Sequence, residues 1–186
     1  MTRTPRSRDR TFIVEVAALL RQPGSRRHIR IEGQLPELEV SSASVPADAT
    51  VIFDGVLEAV SEGILVTGKV VTPWQGICRR CLEPAVGVVE DDVCELCCED
   101  GDIEMTYPLH GDLLDLAPVV RDACILDLPL APLCRADCAG LCPECGVNRN
   151  LEQCSCGAPI DIRWAALGVL ADEAEGGPET GSDQSG

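Results

Sequence analysis

The chain has few of the side chains that most catalytic and nucleic-acid-stacking sites use. Of its 186 residues, five are aromatic and two are histidines, His28 and His110. With so few aromatic rings, a base-stacking platform of the kind that single-strand binders use has little material. The sequence also has no glycine-rich phosphate loop and no recognisable motif of paired carboxylates. We therefore predict that the protein is not an enzyme, and no small-molecule substrate is evident.

Long hydrophobic runs are absent as well. No segment approaches the ~18 consecutive apolar residues of a membrane span. The N-terminal stretch MTRTPRSRDRT carries four arginines in place of the apolar middle of a secretory signal. We expect a soluble, cytoplasmic protein with no membrane partner. In a reducing cytosol, its twelve cysteines indicate metal ligation or redox chemistry rather than a disulfide framework.

Positive charge is scarce beyond the first thirty residues. Residues 1–30 contain eight arginines against two acids, residues 31–186 contain seven basic and twenty-nine acidic residues, and the net charge is −16. Such a surface repels a phosphate backbone at long range, so any contact with nucleic acid must be local. The candidate residues for that contact are Arg26, Arg27, Arg30, Arg79 and Arg80. The alternative for the first three is a solvated strand edge decorated with arginines.

Period-two patterns and turn residues predict a sheet. Extended stretches are expected at residues 11–16, 28–35, 50–60 and 63–71, with one or two more within 76–99. Turns are expected at Pro23-Gly24 and Ser61-Glu62-Gly63, and the last stretch is broken at Glu83-Pro84. The pattern predicts an antiparallel sheet of about five strands.

A helix is predicted to follow the strands. Leu113, Leu116, Val120 and Cys124 recur at spacings of three and four, and Pro129 ends the run. Because a proline is tolerated in the first helical turn, Pro118 places the start near Leu116. The apolar face of this helix can cover the sheet, which gives an α+β fold. A second short helix is expected in IRWAALGVL, at 162–170, with Asp161 as its cap.

Six cysteines in residues 134–156 follow the pattern C-x3-C-x3-C-x2-C-x8-C-x-C. The turn Cys142-Pro-Glu-Cys145-Gly is typical of zinc ribbons, and Cys154 and Cys156 can supply a second pair. We predict one structural Zn²⁺ per chain in a C-terminal module. The candidate ligands are Cys142, Cys145, Cys154, Cys156, Cys134 and Cys138. The last two could replace one pair or serve a second metal with Cys78 and Cys81, so the sequence leaves open which four bind.

Redox chemistry is the competing use of these sulfur atoms, at Cys78-Arg-Arg-Cys81, where two arginines could lower a thiol pKa. A reactive C-x-x-C pair lies at a helix N-terminus after a strand. This pair is flanked by strand-like residues, where positions i and i+3 would face opposite sides of a sheet. A structural role is therefore favoured, and a closed four-thiolate zinc leaves no coordination position for a substrate.

Four further motifs occur in order along the chain: CRRCLEP at 78–84, DLAPVVRDACILDLPLAPLC at 115–134, CAGLCPECG at 138–146 and DIRWAAL at 161–167. Together they resemble the YceD family, the large ribosomal RNA subunit accumulation proteins, over about residues 11–170. The resemblance implies a bacterial cytoplasmic protein that supports production, processing or stability of large-subunit ribosomal RNA. Some family members lack the cysteines that match 134–156, which implies that zinc stabilises a module rather than carrying the shared function. The family has no established catalytic residues.

We therefore expect four segments and one accessory function. The segments are a flexible basic N-terminus at 1–10, a β-rich domain with its covering helix at 11–130, a zinc-binding module at 131–170 and a disordered acidic tail at 171–186. The predicted function is that of a non-enzymatic factor in ribosome biogenesis, with ribosomal RNA or a large-subunit ribosomal protein as its partner. The alternatives are a chaperone-like binder of a basic ribosomal protein and a thiol redox protein that uses Cys78 and Cys81.

Overall fold

The computed structural model describes residues 10–99, 106–157 and 163. After a 3₁₀ turn at Arg10–Phe12, the described chain forms β1 (Ile13–Glu15), α1 (Ala17–Leu20), β2 (Arg26–Gly33), β3 (Ala43–Ser44), β4 (Val51–Val60), β5 (Gly63–Ile77), β6 (Pro84–Cys98), β7 (Tyr107–His110), β8 (Leu113–Asp115) and α2 (Ala117–Asp127). The predictions for the basic N-terminus, the final short helix and the acidic tail lie outside the described residues, apart from Arg10 and Arg163.

The strands form one sheet in the order β1-β8-β7-β6-β5-β4-β2, and the short β3 pairs with the far end of β5. The expectation of a sheet with a covering helix is confirmed, but the five-stranded, wholly antiparallel arrangement is wrong. The path contains seven strands, and β6 and β7 run parallel. The sheet curls, and its two edge strands approach each other where the ring of Phe12, just before β1, lies against Gly33 at the end of β2.

The strand count was underestimated because β7 and β8 have only four and three residues, and the sequence pattern assigned Leu113 of β8 to the helix. The length of β5 was underestimated as well. β5 continues through Pro73, which lies opposite Val88 of β6. β4 pairs with β5 only up to Val71, and β3 begins to pair at Gln75. Pro73 lies in the gap between those partners, where a missing N–H breaks no ladder hydrogen bond. The parallel pairing of β6 with β7 joins distant segments, so no local pattern indicates it.

The main core lies between the sheet and α2. Strand β5 alternates with the period of two that its sequence predicts, with Ile64, Val66 and Val70 fully buried. The helix begins at Ala117 with Pro118 in its first turn. Its Cys124 is fully buried, and burial raises the pKa of this thiol to about 12, so it behaves as a small apolar side chain.

A second, smaller cluster of buried residues lies at the far tip of the β5–β6 hairpin. It contains Cys78, Cys81, Ala85 and Cys138, with Trp74, Leu133 and Leu141 packed against it. Three of its four buried residues are cysteines that could bind metal. No helix in the described part of the chain is long and apolar enough to cross a membrane.

Candidate metal centre

Four thiols from two distant segments converge at the hairpin tip. Cys78 and Cys81 lie in the turn between β5 and β6, and Cys134 and Cys138 lie in the chain that follows α2. The Sγ atoms of Cys78 and Cys138 are 3.8 Å apart, and those of Cys81 and Cys134 are 3.5 Å apart. Four sulfurs at ~2.3 Å from a tetrahedral Zn²⁺ would be about 3.8 Å from one another. The first cluster therefore has the spacing that a tetrahedral metal requires.

Backbone hydrogen bonds fix the turn that carries the first pair. The N–H of Cys78 donates to the carbonyl of Glu83 at 2.8 Å, and the N–H of Leu82 donates to the carbonyl of Cys78 at 2.9 Å. Leu82 takes the left-handed conformation, with φ of 63°. Because the chain reverses here, both sulfurs lie on one side. The expectation that they face opposite sides of a sheet is wrong, since the pair lies between the strands and not within one.

The protein environment stabilises one thiolate of this cluster. Burial alone would raise the pKa of Cys78, but hydrogen bonds from the backbone N–H groups of Cys134, Cys81 and Arg80 outweigh it and lower the pKa to about 6. Burial and the neighbouring thiols raise the pKa of Cys134 to about 12. A bound cation would relieve the repulsion between neighbouring thiolates and allow all four to ionise.

The second cluster repeats the same turn. It comprises Cys142, Cys145, Cys154 and Cys156, whose sulfurs lie within 4.8 Å of one another. The N–H of Gly146 donates to the carbonyl of Cys142 at 2.9 Å, and Gly146 has a φ of 74°, which glycine adopts without strain.

Electrostatics in the second cluster also parallel those of the first. Backbone N–H groups of Cys145 and Glu144 lower the pKa of Cys142 to about 6. Hydrogen bonding to Cys145 raises the pKa of Cys156 to about 12. Cys145 and Cys156 are exposed. The second site is therefore the more open of two otherwise similar turns.

The two clusters are joined through the backbone and through Asn150. The N–H of Leu141 donates to the carbonyl of Arg80 at 2.9 Å, which ties the second cluster's segment to the hairpin turn. The Nδ2 of Asn150 donates to Sγ of Cys138 at 3.3 Å, and its Oδ1 accepts from the N–H of Ala139 at 2.8 Å. Asn150 could not be predicted as part of the site, because only its position between two cysteine pairs distinguishes it in the sequence.

The six cysteines predicted as ligands are divided between the clusters. Cys134 and Cys138 join Cys78 and Cys81, and the other four form the second cluster. One zinc was expected, whereas the geometry provides two four-cysteine groups. C-x-x-C occurs at Cys78, Cys94 and Cys142, and the first and third of these pairs belong to the clusters.

The five candidate RNA-contacting arginines are not brought together. Arg26 pairs with Glu58 at 2.9 Å, and Arg30 pairs with Asp54 at 3.0 Å and with Glu32 at 2.9 Å. Arg27 alternates with these two along β2, so its side chain is directed to the opposite face.

The remaining two candidates lie at the other end of the hairpin. Arg79 and Arg80 follow β5, roughly 40 Å along that strand from the level of Arg26 at ~3.3 Å per residue. The guanidinium of Arg80 donates to the carbonyl of Cys138 at 3.0 Å. The described structure therefore offers separate cations instead of one basic patch.

Comparison with known proteins identifies the family. A family model described as "Large ribosomal RNA subunit accumulation protein YceD" matches residues 66–171, more than half of the chain, and this span includes every cysteine of both clusters. The chain belongs to the YceD family. The resemblance drawn from the sequence motifs is confirmed.

Relatives of this YceD protein occur in mycobacteria and in plants. A Mycobacterium tuberculosis protein is 35% identical over 162 residues, which cover 83% of this chain and 78% of that one. A Mycobacterium leprae protein is 30% identical over 93% of this chain and 84% of its own length. The chloroplastic "Large ribosomal RNA subunit accumulation protein YCED homolog 1" of Arabidopsis thaliana is 29% identical over 41% of this chain and 24% of its own length. No solved structure matches.

Proposed function

We propose that this YceD protein is a non-enzymatic, cytoplasmic accessory factor that supports the synthesis, processing or stability of large-subunit ribosomal RNA, and that its two cysteine clusters hold structural Zn²⁺. The observation that carries the proposal is the family match, which spans the whole metal-binding region. The family's name associates it with accumulation of large-subunit ribosomal RNA.

The donor sets support zinc in a structural role. Four thiolates in tetrahedral arrangement suit zinc or an iron–sulfur cluster. The C-x-x-C turns, with backbone N–H groups directed at the first sulfur, occur in zinc knuckles and ribbons. Four protein ligands fill the coordination sphere of zinc, so no position is left for a substrate. In this role each metal would supply folding free energy to a segment with few apolar side chains of its own.

The charge distribution favours a protein partner as the second candidate. Arg26 and Arg30 are ion-paired with acids of β4 and β2, so their positive charge is largely neutralised toward phosphate. A chain with a net charge of −16 attracts a basic protein more readily than a polyanion. The factor could therefore serve ribosomal RNA by holding a basic large-subunit ribosomal protein.

Thiol exchange by Cys78 and Cys81 is the competing activity. If these sulfurs are metal ligands, replacing both with serine should lower thermal stability and remove one metal, while thiol–disulfide exchange stays at background before and after the change. An insulin-reduction assay on the reduced protein measures the exchange. A robust activity that disappears in the double variant would contradict the non-enzymatic proposal.

The proposed function itself is tested in cells. Depleting the protein in its host should lower the ratio of large-subunit to small-subunit ribosomal RNA, and the full chain should restore it. The Leu113→Lys variant is changed at an exposed position of β8, outside both clusters. It should restore the ratio as well, and it controls for the effect of a surface substitution as such. An unchanged ratio after depletion would refute the proposed function.

A further inference from the structure

Strand β6 carries an unpaired edge next to the metal-binding tip. One side of β6 pairs with β5 along residues Pro84 to Cys97. On its other side, among the described residues, β7 pairs only with Cys97 and Cys98. The first half of a fifteen-residue strand thus has one open side. Open edges are templates for pairing with another chain, and proteins normally protect them.

The direction of the open backbone groups follows from two hydrogen bonds. The N–H of Glu90 donates to Oδ2 of Asp127 at 3.3 Å, and the N–H of Asp92 donates to Oδ1 of Asp91 at 2.9 Å. Neither bond is to β5, so these N–H groups point to the free side. Alternate residues of an antiparallel strand share a direction, and the N–H and C=O groups of Val86 and Val88 therefore point there too.

Protection of this edge is uneven. Carboxylates occupy the N–H groups of Glu90 and Asp92, while the structure records no such partner for Val86 or Val88 among the described residues. The side chains of Val86 and Val88 are 74% and 60% exposed. Charged side chains that would discourage pairing begin only at Glu90.

Further apolar side chains extend this surface toward the hairpin tip. Ile77 lies on the same sheet face as Val86 and is 54% exposed, and Leu82 and Leu130 are 63% and 74% exposed. These three share a cavity of about 370 Å³. We call the five residues Ile77, Leu82, Val86, Val88 and Leu130 the β6 strip. Several exposed apolar side chains at one end of a sheet mark an interaction site.

Charge indicates the kind of segment that fits. Asp92 is 86% exposed at the protected end of the strand, and Glu90 and Asp127 are exposed beside it. Lys69 pairs with Glu90 at 2.7 Å and lies 3.9 Å from Asp92, so the three carboxylates together keep a net negative charge. Arg79 is exposed at the opposite, tip end. A segment that pairs with Val86 and Val88 would therefore place cationic side chains toward Asp92 and apolar ones on the strip.

We propose that the β6 strip binds an extended, cationic segment of a partner protein, which adds to the sheet as a further strand. Main-chain hydrogen bonds to Val86 and Val88 supply affinity, and alternating apolar and basic side chains supply specificity. This inference rests on the protein-partner candidate of the proposed function and names the surface that it would use.

A defined probe tests the inference on the full chain with its metal. The probe is a fluorescently labelled Lys-Val-Arg-Val-Lys-Val-Arg-Val peptide, and its control has the same sequence with alternate backbone nitrogens methylated. We expect the probe to bind, the methylated control to bind at least tenfold more weakly, and the amide hydrogens of Val86 and Val88 to become protected from exchange when the probe is bound.

Two charge-matched variants separate the strip from the general acidity of the surface. Val86→Lys with Val88→Lys should weaken probe binding at least tenfold. Leu113→Lys with Leu151→Lys places the same charges at exposed apolar positions elsewhere and should change binding by less than twofold. Both variants should retain the wild-type metal content, which shows that the module is still folded.

Several outcomes overturn the inference. Equal binding of the methylated probe would show attraction by charge alone. Amides of Val86 and Val88 already protected in the free protein would show an edge covered by the chain itself, and protection that grows with protein concentration would show a second copy. A wild-type chain that binds no probe but restores ribosomal RNA would remove this site and leave the proposed function standing. If the chain bound the probe but did not restore ribosomal RNA, this site would stand and the proposed function would be removed.

Discussion

At the scale of single residues, Asn150 lies in the loop between the two cysteine pairs of the second cluster, and its side chain contacts the first cluster. Its amide nitrogen donates to the sulfur of Cys138 at 3.3 Å and to Oδ1 of Asn148 at 2.8 Å, and its oxygen accepts from Arg135 at 2.8 Å. Hydrogen bonds to a ligating sulfur orient it and stabilise its charge. Asn150 is therefore expected to control how tightly the first cluster holds its metal.

Asn150→Ala should weaken metal binding at the first cluster by about 10–100-fold, the range for loss of an outer-shell partner. The total metal content of the freshly purified protein should stay the same, because the four sulfurs remain. Competition with a chelator of known affinity measures the change. Glu152→Ala, at an exposed position in the same loop, is the control, and equal chelator resistance in both variants would contradict the role of Asn150.

At the scale of elements, the two clusters are built in sequence on the β5–β6 hairpin. The first cluster uses Cys78 and Cys81 of the hairpin turn to hold the chain that follows α2, and the N–H of Arg79 donates to the carbonyl of Pro132 at 2.9 Å. The second cluster contains no ligand from the sheet and is attached through Leu141 and Asn150. Its position therefore depends on the first.

This dependence predicts an asymmetry between paired substitutions. Cys142→Ser with Cys145→Ser should remove one metal and leave the first cluster loaded, with loss of order confined to residues after Gly140. Cys78→Ser with Cys81→Ser should remove one metal and also weaken the second site. Metal analysis combined with amide hydrogen exchange measures both effects, with Cys94→Ser at an exposed non-cluster cysteine as the control. If each pair removed one metal and left the other site unchanged, the two sites would be independent.

Local patterns predicted the elements that depend on neighbouring residues. The β4–β5 hairpin with its turn near Gly63, the buried alternation of Ile64, Val66 and Val70, and a helix starting beside Leu116 all follow from side-chain period and turn chemistry. The continuation of β5 from Val71 through Pro73 could not be predicted in this way, because the tolerance of Pro73 depends on a gap between β4 and β3 that only the assembled sheet shows.

The metal site shows the same limit. Spacing alone predicted that Cys142 and Cys145 share a site. Cys78 and Cys138 are sixty positions apart, and their contact depends on the direction in which the chain leaves α2. The sequence therefore left this pairing as one of two alternatives. Asn150 had no signal of its own, since its role depends on the folded loop.

At the scale of the whole molecule, the proposed function requires an acidic chain to serve a polyanion. The ion pairs of Arg26 and Arg30 with acids of the sheet oppose a contact of these two side chains with phosphate. Replacing Arg26, Arg27 and Arg30 with alanine should therefore leave association with large-subunit RNA fragments unchanged. Filter binding at two salt concentrations measures this. A direct RNA contact would instead appear as strong binding at low salt. The slope of log affinity against log salt concentration would then fall by up to about three units in the variant, because binding releases fewer counterions when fewer phosphates are neutralised.

The most direct test of the account is the number of metal ions that the intact protein carries. Native mass spectrometry of the full chain, purified under reducing conditions without added metal, should show two Zn²⁺ per chain, and one in the variant with Cys142→Ser and Cys145→Ser. Elemental analysis of the same samples identifies the metal. A chain that carries no zinc, or an iron–sulfur cluster in either site, would contradict the proposal that two structural zinc ions organise this YceD protein.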